Sequence, residues 1–359
     1  MSLKKEAGFW SGRKVFLTGH TGFKGAWLTQ LLEALGAEVH GLALPPPTQP
    51  SLFNLIEGRA ARGGASVLGD ILEPGLLSSV LKESGAEVAF HLAAQALVGR
   101  SYQDPAGTFA TNVMGTVNFL EAARRAPGLK AAVVVTSDKC YRNDGRLGGY
   151  GEDDPLGGDD PYSASKAAAE LAAWAWGRSF FQEGQLLLAT ARAGNVLGGG
   201  DFAQARLVPD ALRSFAEGQL LILRRPGAVR PWQHVLEPLS GYLALARGLW
   251  EGRRERAGAW NFGPDPADHW PVNRLTARLA ELWGEGARVA PAPAPDYQEA
   301  EILTLKADQA RKQLGWAPRL PLEEALLWTV EWYRAFYRGG RPLEVLERQV
   351  LAYLELDPV

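Results

Sequence analysis

The sequence predicts an α/β fold: a doubly wound parallel sheet, followed by a smaller C-terminal mixed α/β domain. Two observations carry this. Short segments that are apolar throughout, such as "AAVVVTS" (131–137), alternate with longer ones apolar at helical spacing, such as "AWLTQLLEALG" (26–36). Strands without a polar face belong in parallel sheets covered on both sides. Glycines, small residues and polar residues also collect at the carboxyl ends of the apolar runs, where the binding crevice of such a sheet lies.

The elements follow in order. "KVFLTG" (14–19) is the first strand, and the helix after it stops at Gly36. "AEVHGLAL" (37–44) is the second strand, broken by "PPPTQP". Next come "SVLGDI" (66–71), a helix near 74–84, "EVAFHLAA" (87–94), a helix near 105–126, and "AAVVVTS". Residues 142–161, rich in Gly, Asp and Pro, read as a long loop before the helix "YSASKAAAELAAWAWGRSF" (162–180) and the strand "LLLATARAGNVLG" (186–198). Further on the alternation loosens. "VAPAPAPDYQ" (289–298) is a proline-stiffened connection, and helices near 307–314 and 322–338 close the chain. This predicts a dinucleotide-binding domain over 1–190, with a segment near 228–263 returning to it, and a second domain mainly over 191–359.

Composition narrows the function classes. A net charge of −2 gives no electrostatic case for nucleic acid or a membrane surface. The single cysteine, Cys140, allows no intrachain disulfide and fits a reducing cytoplasm. The N-terminal charges are followed by no apolar stretch of the secretory kind, and no run is long enough to span a bilayer. A cytoplasmic protein is expected.

"TGHTGFKG" sets Gly19, Gly22 and Gly25 between the first strand and its helix. Glycines there permit a tight turn and let backbone N–H groups approach a pyrophosphate. Asp70 after the third strand suits an adenine amino group, with Ile71 packing the ring; Ala93 and Ala94 after the fourth leave room for a ribose. The carboxylate that usually binds the adenine ribose is missing, because the second strand ends "HGLALPPP". That strand therefore does not distinguish NAD from NADP, and loose retention of the cofactor is expected.

"YSASK" puts Tyr162 and Lys166 four apart on one helix face. Tyrosine ordinarily titrates near pH ~10 and is a poor base, but an adjacent ammonium and a nicotinamide cation favour the phenolate. Such a tyrosine can take a hydroxyl proton while a hydride departs. Ser137, Tyr162 and Lys166, in that order, resemble the catalytic set of the extended short-chain dehydrogenase/reductases, whose fold is Rossmann-like. The likeness runs from the glycine loop to "DQARKQLGWAPRLPLEEAL" (308–326). Within that family, "TGHTGFKGAWL", "TSDKCY", "RAGNVLGGGDFA", "RPWQHVLEPLSGYL" and "LGWAP" resemble the CDP-glucose 4,6-dehydratases.

The resemblance implies a hydro-lyase of deoxysugar biosynthesis, of the kind that feeds O-antigen or other polysaccharides. The sugar is oxidised at C4, water is eliminated across C5 and C6, and the hydride returns to C6. It implies NAD as cofactor, held by Gly19, Thr21, Gly22, Phe23, Lys24, Gly25, Asp70, Ile71, Leu92, Ala93, Ala94, Tyr162 and Lys166. It further implies Gln95, Asn195, Arg206 and Arg230 at the nucleotide sugar, and a homodimer. Related sugar dehydratases carry an adjacent Asp–Glu pair after the Ser/Thr; here Asp138 matches the acid and Lys139 replaces the glutamate. A lysine near its ordinary pKa of ~10.4 is no base. Lys139 is either made basic by burial among cations or stays charged and stabilises an enolate.

Cys140 reads as packing rather than a nucleophile. The acidic loop (Asp153, Asp154, Asp159, Asp160) reads as a solvated turn, and no metal site is expected. Competing readings are a 4-epimerase, a 4,6-dehydratase of another nucleotide sugar, and a non-catalytic dinucleotide sensor. An epimerase needs no acid–base pair after Ser137, and a sensor need not keep Asp138, Tyr162 and Lys166 together. The segments 108–123 and 162–180 are apolar nearly all round, which predicts burial on two sides and pairing across a two-fold axis.

Overall fold

The computed structural model describes residues 7–56, 64–181, 186–292 and 301–357. Seven strands form one parallel sheet: β1 (Lys14–Thr18), β2 (Glu38–Ala43), β3 (Ser66–Leu68), β4 (Val88–His91), β5 (Ala131–Val135), β6 (Leu187–Ala193) and β7 (Gly258–Phe262). Their spatial order is β7-β6-β5-β4-β1-β2-β3, parallel throughout. The order reverses between β1 and β4, and that switch opens a crevice at the carboxyl ends. Strands β5 and β6 are buried at every position, as strands covered on both faces must be.

Successive side chains enter opposite cores. Val15 and Leu17 pack into one and Phe16 into the other; Val133 and Val135 alternate likewise with Ala132 and Val134. The connecting helices are α1 (Phe23–Ala34), α2 (Pro74–Ser84), α3 (Gly115–Arg125), α4 (Pro161–Phe180), α5 (Leu207–Ala216) and α6 (Leu236–Trp250). Helices α1 and α6 fill the first core with Trp27, Leu28, Leu239 and Leu243; α2, α3 and α4 fill the second with Leu77, Phe119 and Ala173. The sheet is doubly wound. Helices α7 (Val272–Trp283), α8 (Leu322–Tyr337) and α9 (Pro342–Glu355) extend the first core through Leu275, Leu326 and Val350. The looser second half also holds two-stranded pairs: Leu220–Leu223 with Arg288–Pro291, and Val229–Pro231 with His269–Pro271.

Two details depart from the sequence pattern. The single helix expected near 105–126 is interrupted: Asp104 Oδ1 caps a short helix, Pro105–Phe109, at Gly107 N (2.8 Å), and a π-helical turn, Ala110–Met114, then leads into α3. Such wide turns recur beside functional sites, and this one buries Asn112. The long loop 142–161 is tied down by bridges between Tyr141 and Leu156 and between Tyr150 and Leu305. Of the proline-stiffened connection, 293–298 lies outside the described residues, as does the start of the N-terminal segment, 1–6. Among the described residues no helix is long and apolar enough to cross a membrane.

Candidate active site

The glycine loop is built for close approach. Gly19 has φ 77°, and a Cβ there would stand 2.7 Å from Ala93 N; a Cβ on Gly25 would stand 2.1 Å from Gly19 O. Neither position admits a side chain. The N-cap of α1 is Gly22, which offers no side-chain acceptor, so the first-turn N–H groups are available to an anion. A cleft of about 1160 Å³ opens here, lined by Gly19, Thr21, Gly22, Phe23, Lys24 and Gly25, by Asp70 and Ile71, and by Leu92, Ala93 and Ala94. Thr18 Oγ1 accepts from Leu92 N and Ala93 N at 3.2 Å each, drawing that backbone against the glycines. This cradle fits a dinucleotide. Where an acid would meet the adenine ribose, the chain has an exposed Leu44, whose carbonyl accepts from Thr21 Oγ1 at 2.9 Å.

At the end of β5, Ser137 leads into a 3₁₀ turn, Asp138–Cys140. Ser137 Oγ donates to Asp138 Oδ1 at 3.0 Å and accepts from Lys139 N at 3.2 Å. Asp138 is 3% exposed, so the Asp–Lys pair is no solvated turn. Its second oxygen, Oδ2, is buried without a hydrogen-bond partner among the described residues. Burial pushes the carboxyl up, against the downward pull of Lys139, the Ser137 hydrogen bond, Arg230 and Lys24. The result is a carboxyl that holds its proton more tightly than an ordinary aspartate and has one oxygen uncommitted. Such a group can act as a general acid.

Helix α4 begins with Pro161 in its first turn, and Asp160 Oδ1 accepts from Ser163 N at 2.9 Å. That start fixes Tyr162 and Lys166, both buried, on the wall shared with Ser137 and Asp138. Burial pushes the Tyr162 phenol up to about 12, with Ser137 and Arg206 pulling it down and Asp138 adding to the rise. Burial brings Lys166 down to about 8, against the upward pull of Glu170 and Cys140. Its Nζ donates to Val135 O at 3.5 Å. At neutral pH such a tyrosine is a phenol, and a phenolate there needs further positive charge beside it. Lys24 reaches the same space: burial, then Arg206 and Lys166, bring it down to about 8, with Asp138 opposing.

Asn195, Arg206 and Arg230 line the same cleft, with Arg230 acting on Asp138 and Arg206 on Tyr162. Arg206 Nη1 pairs with Asp201 Oδ2 at 2.9 Å, and the buried Arg230 donates from Nη1 to Val229 O at 2.9 Å. Gln95 lines the cleft too, but its amide is engaged within the fold, donating to Leu97 O and to Thr108 Oγ1 of the short helix Pro105–Phe109 at 3.0 Å each. Cys140 is buried in a small core with Tyr141, Tyr150 and Leu305, and burial pushes its thiol up. No group of three or more metal-binding side chains occurs among the described residues, and the acidic loop instead clamps Arg146 between Asp144 and Asp154 at 2.8 Å each.

Three residues at this site went unmarked in the sequence. Asn112 Nδ2 donates to Gln95 O at 3.0 Å and Ser165 Oγ at 2.9 Å, joining the β4 loop to α4. Its signal is a π turn, invisible in a helical pattern. Glu170 and Arg192 pair at 2.7 Å, both 3% exposed, behind the catalytic wall. A lone acid in the alanine-rich run "KAAAELAAWAW", one turn after Lys166, was the available sign.

Comparison with known proteins agrees with this geometry. Residues 15–261 match the model of the NAD dependent epimerase/dehydratase family. The chain is similar to the CDP-glucose 4,6-dehydratase of Salmonella typhimurium, 45% identical over 96% of this chain and 97% of that one. It is also similar to the dTDP-glucose 4,6-dehydratase of Streptomyces griseus, 31% identical over 72% of this chain and 75% of that one. Among solved structures, a dTDP-glucose 4,6-dehydratase from Streptomyces venezuelae, with NAD and TYD bound, superposes with a TM-score of 0.77 at 25% identity, covering 92% of this chain and 99% of that one. With its glycine cradle, its strand order and its Ser–Tyr–Lys wall, the chain belongs to the NAD dependent epimerase/dehydratase family.

Proposed function

We propose that the protein is a nucleotide-sugar 4,6-dehydratase that converts CDP-glucose to CDP-4-keto-6-deoxyglucose and water. NAD, held by the glycine cradle with Asp70, Ile71 and the Leu92–Ala94 backbone, would supply the hydride chemistry that links sugar C4 to C6. The chain's own residues handle the protons. Tyr162, beside Ser137 and backed by Lys166, takes the proton of the C4 hydroxyl. The ketone so formed acidifies the hydrogen on C5. Asp138 donates its proton to the C6 hydroxyl, which leaves as water. Lys139 either removes the C5 proton or, by its charge, holds the enolate formed as another base takes that proton; a proton returns to C5 when the hydride returns to C6. Arg206, Arg230 and Asn195 are the residues for the diphosphate and its nucleoside, arginine being suited to phosphate oxygens.

One observation carries the choice of dehydratase over epimerase: the buried Asp138, its Oδ2 unpartnered among the described residues, sits between Ser137 and Lys139 on the wall it shares with Tyr162. An epimerase has no use for an acid there. In the same proposal the dinucleotide belongs to a domain of residues 1–190 with the segment near 228–263, the nucleotide sugar belongs mainly to the rest of 191–359, and the protein is a homodimer in the cytoplasm. On α4, Leu171, Trp174 and Phe180 are 57%, 68% and 51% exposed, and Phe109 and Met114 add 40% and 51% from the neighbouring helical segment. A second copy of this surface is the occupant that hides all five.

Incubation with CDP-, UDP-, GDP- and dTDP-glucose and added NAD, followed by mass spectrometry, tests the reading. Loss of one water from CDP-glucose supports it. An isobaric product from any of the four would mark an epimerase instead.

A further inference from the structure

We propose that Glu170, paired with Arg192, is a positioning residue that locks the Ser137–Asp138–Lys139 turn against the Tyr162–Lys166 face of α4. This goes beyond the reaction assigned above, and it rests on Tyr162 and Lys166 being the pair that handles the C4 hydroxyl proton.

The carboxylate of Glu170 is fully engaged. Its Oε1 accepts from Thr136 Oγ1, and its Oε2 accepts from Thr190 Oγ1 and Arg192 Nη2 at 2.7 Å each. Arg192 continues outward, donating from Nη1 to Tyr141 OH at 2.7 Å and to Glu152 O at 3.0 Å. Tyr141 OH in turn donates to Asn261 Oδ1 at 2.7 Å. Thr136 is the residue before Ser137, and Tyr141 is the residue after the 3₁₀ turn. The network therefore grips the reagent turn at both ends and ties it to α4, β6 and β7.

Stability is a poor reason for such a pair. Removing two charges from water costs several kcal/mol per ion, and apolar residues of similar volume often fold as well or better. The location supplies a reason. Glu170 follows Lys166 by one helical turn on the same face. The other groups facing Lys166 are Lys24 of the glycine loop, His91 of β4, and Cys140 of the turn. Lys24 opposes its charge, and His91 is neutral, brought down to about 3 by burial. Glu170 exerts the larger of the two upward pulls on Lys166, ahead of Cys140. Without that carboxylate, Lys166 loses its proton at a lower pH, and the phenolate of Tyr162 keeps Arg206 but loses the support of Lys166.

The test compares four variants of the full chain with NAD added. In Glu170→Gln the alkaline limb of the kcat/KM profile should move down by about one pH unit, one such unit being the scale of a single lost charge partner. Thr136→Val keeps a branched shape and removes one arm of the grip; its kcat should fall about tenfold with KM and the limb unchanged, the mark of lost alignment. Glu170→Leu with Arg192→Met removes both charges together and is the variant expected to fold if Glu170→Gln alone does not. It should show the same lowered limb. A folded Glu170→Gln or double variant with the parent's kcat and alkaline limb overturns the proposal, as does an unchanged kcat in Thr136→Val. Tyr162→Phe separates the two levels: normal turnover there would sink the proton-handling assignment, not the positioning role alone.

Discussion

Ser137 Oγ donates to one carboxylate oxygen of Asp138 at 3.0 Å, and the other oxygen of that carboxylate has no partner among the described residues. A buried acid left half-satisfied is costly in its ionised form. Burial raises its pKa despite three nearby cations, Lys139, Arg230 and Lys24. A carboxyl raised in this way stabilises the fold only below its unfolded pKa, and that contribution is lost as pH rises through the folded value. At neutral pH, Asp138→Asn should therefore raise the Tm, by about 1–2 °C for each kcal/mol gained in a chain of this length. The gain should vanish in acid, near pH ~4 and below, where the parent is protonated. Calorimetry at the two pH values checks this.

Lys139→Met distinguishes the two roles open to that lysine. If Lys139 removes the C5 proton, the variant oxidises the sugar at C4 but leaves its C5 hydrogen unexchanged in heavy water. If it stabilises the enolate by charge, exchange continues at a reduced rate. Mass spectrometry of recovered substrate reads the difference.

The alkaline limb of kcat/KM should fall at pH about 8, because Lys166 is brought down to about 8 by burial and must be protonated to support a phenolate. Lys24, also brought to about 8, faces it, so the apparent value belongs to the pair. The sign is loss of activity with rising pH. A profile flat to pH ~10, where an ordinary lysine titrates, would contradict this.

The exposed stripe on α4 is expected to hold two copies together. Trp174→Asp, at a position 68% exposed, should leave the fold intact and convert a dimer to a monomer in sedimentation at micromolar concentration. A parent chain that sediments as a monomer would remove the dimer from the account.

Much of this was legible in the sequence, for a physical reason. Strands such as β5, "AAVVV", are buried on both faces and therefore apolar at every position, which only a covered parallel sheet explains. The glycines at 19, 22 and 25 mark a loop where backbone meets ligand, and Tyr162 and Lys166 fall on one helix face by spacing alone. What stayed hidden depends on contacts far apart in sequence. Glu170 meets Thr136 and Thr190 across three elements, and no local pattern records that. The π turn at Ala110–Met114 adds one residue to a helical run without changing its apolar spacing enough to show. The burial of Asp138, which separates a reagent from a turn, also comes only with the fold.

If oxidation and elimination are run by different residues, rapid mixing of two variants with CDP-glucose and NAD separates the two steps. Tyr162→Phe should show no rise in the near-ultraviolet absorbance of reduced nicotinamide, because the C4 hydroxyl keeps its proton. Asp138→Asn keeps the shape of the acid but has no carboxyl proton to give. It should show that rise and hold it, while releasing dehydrated product about 10²–10⁴-fold more slowly than the parent, the usual cost of a lost general acid. If Asp138→Asn releases product at the parent rate, or shows no rise at all, the division of labour between the two pairs is wrong.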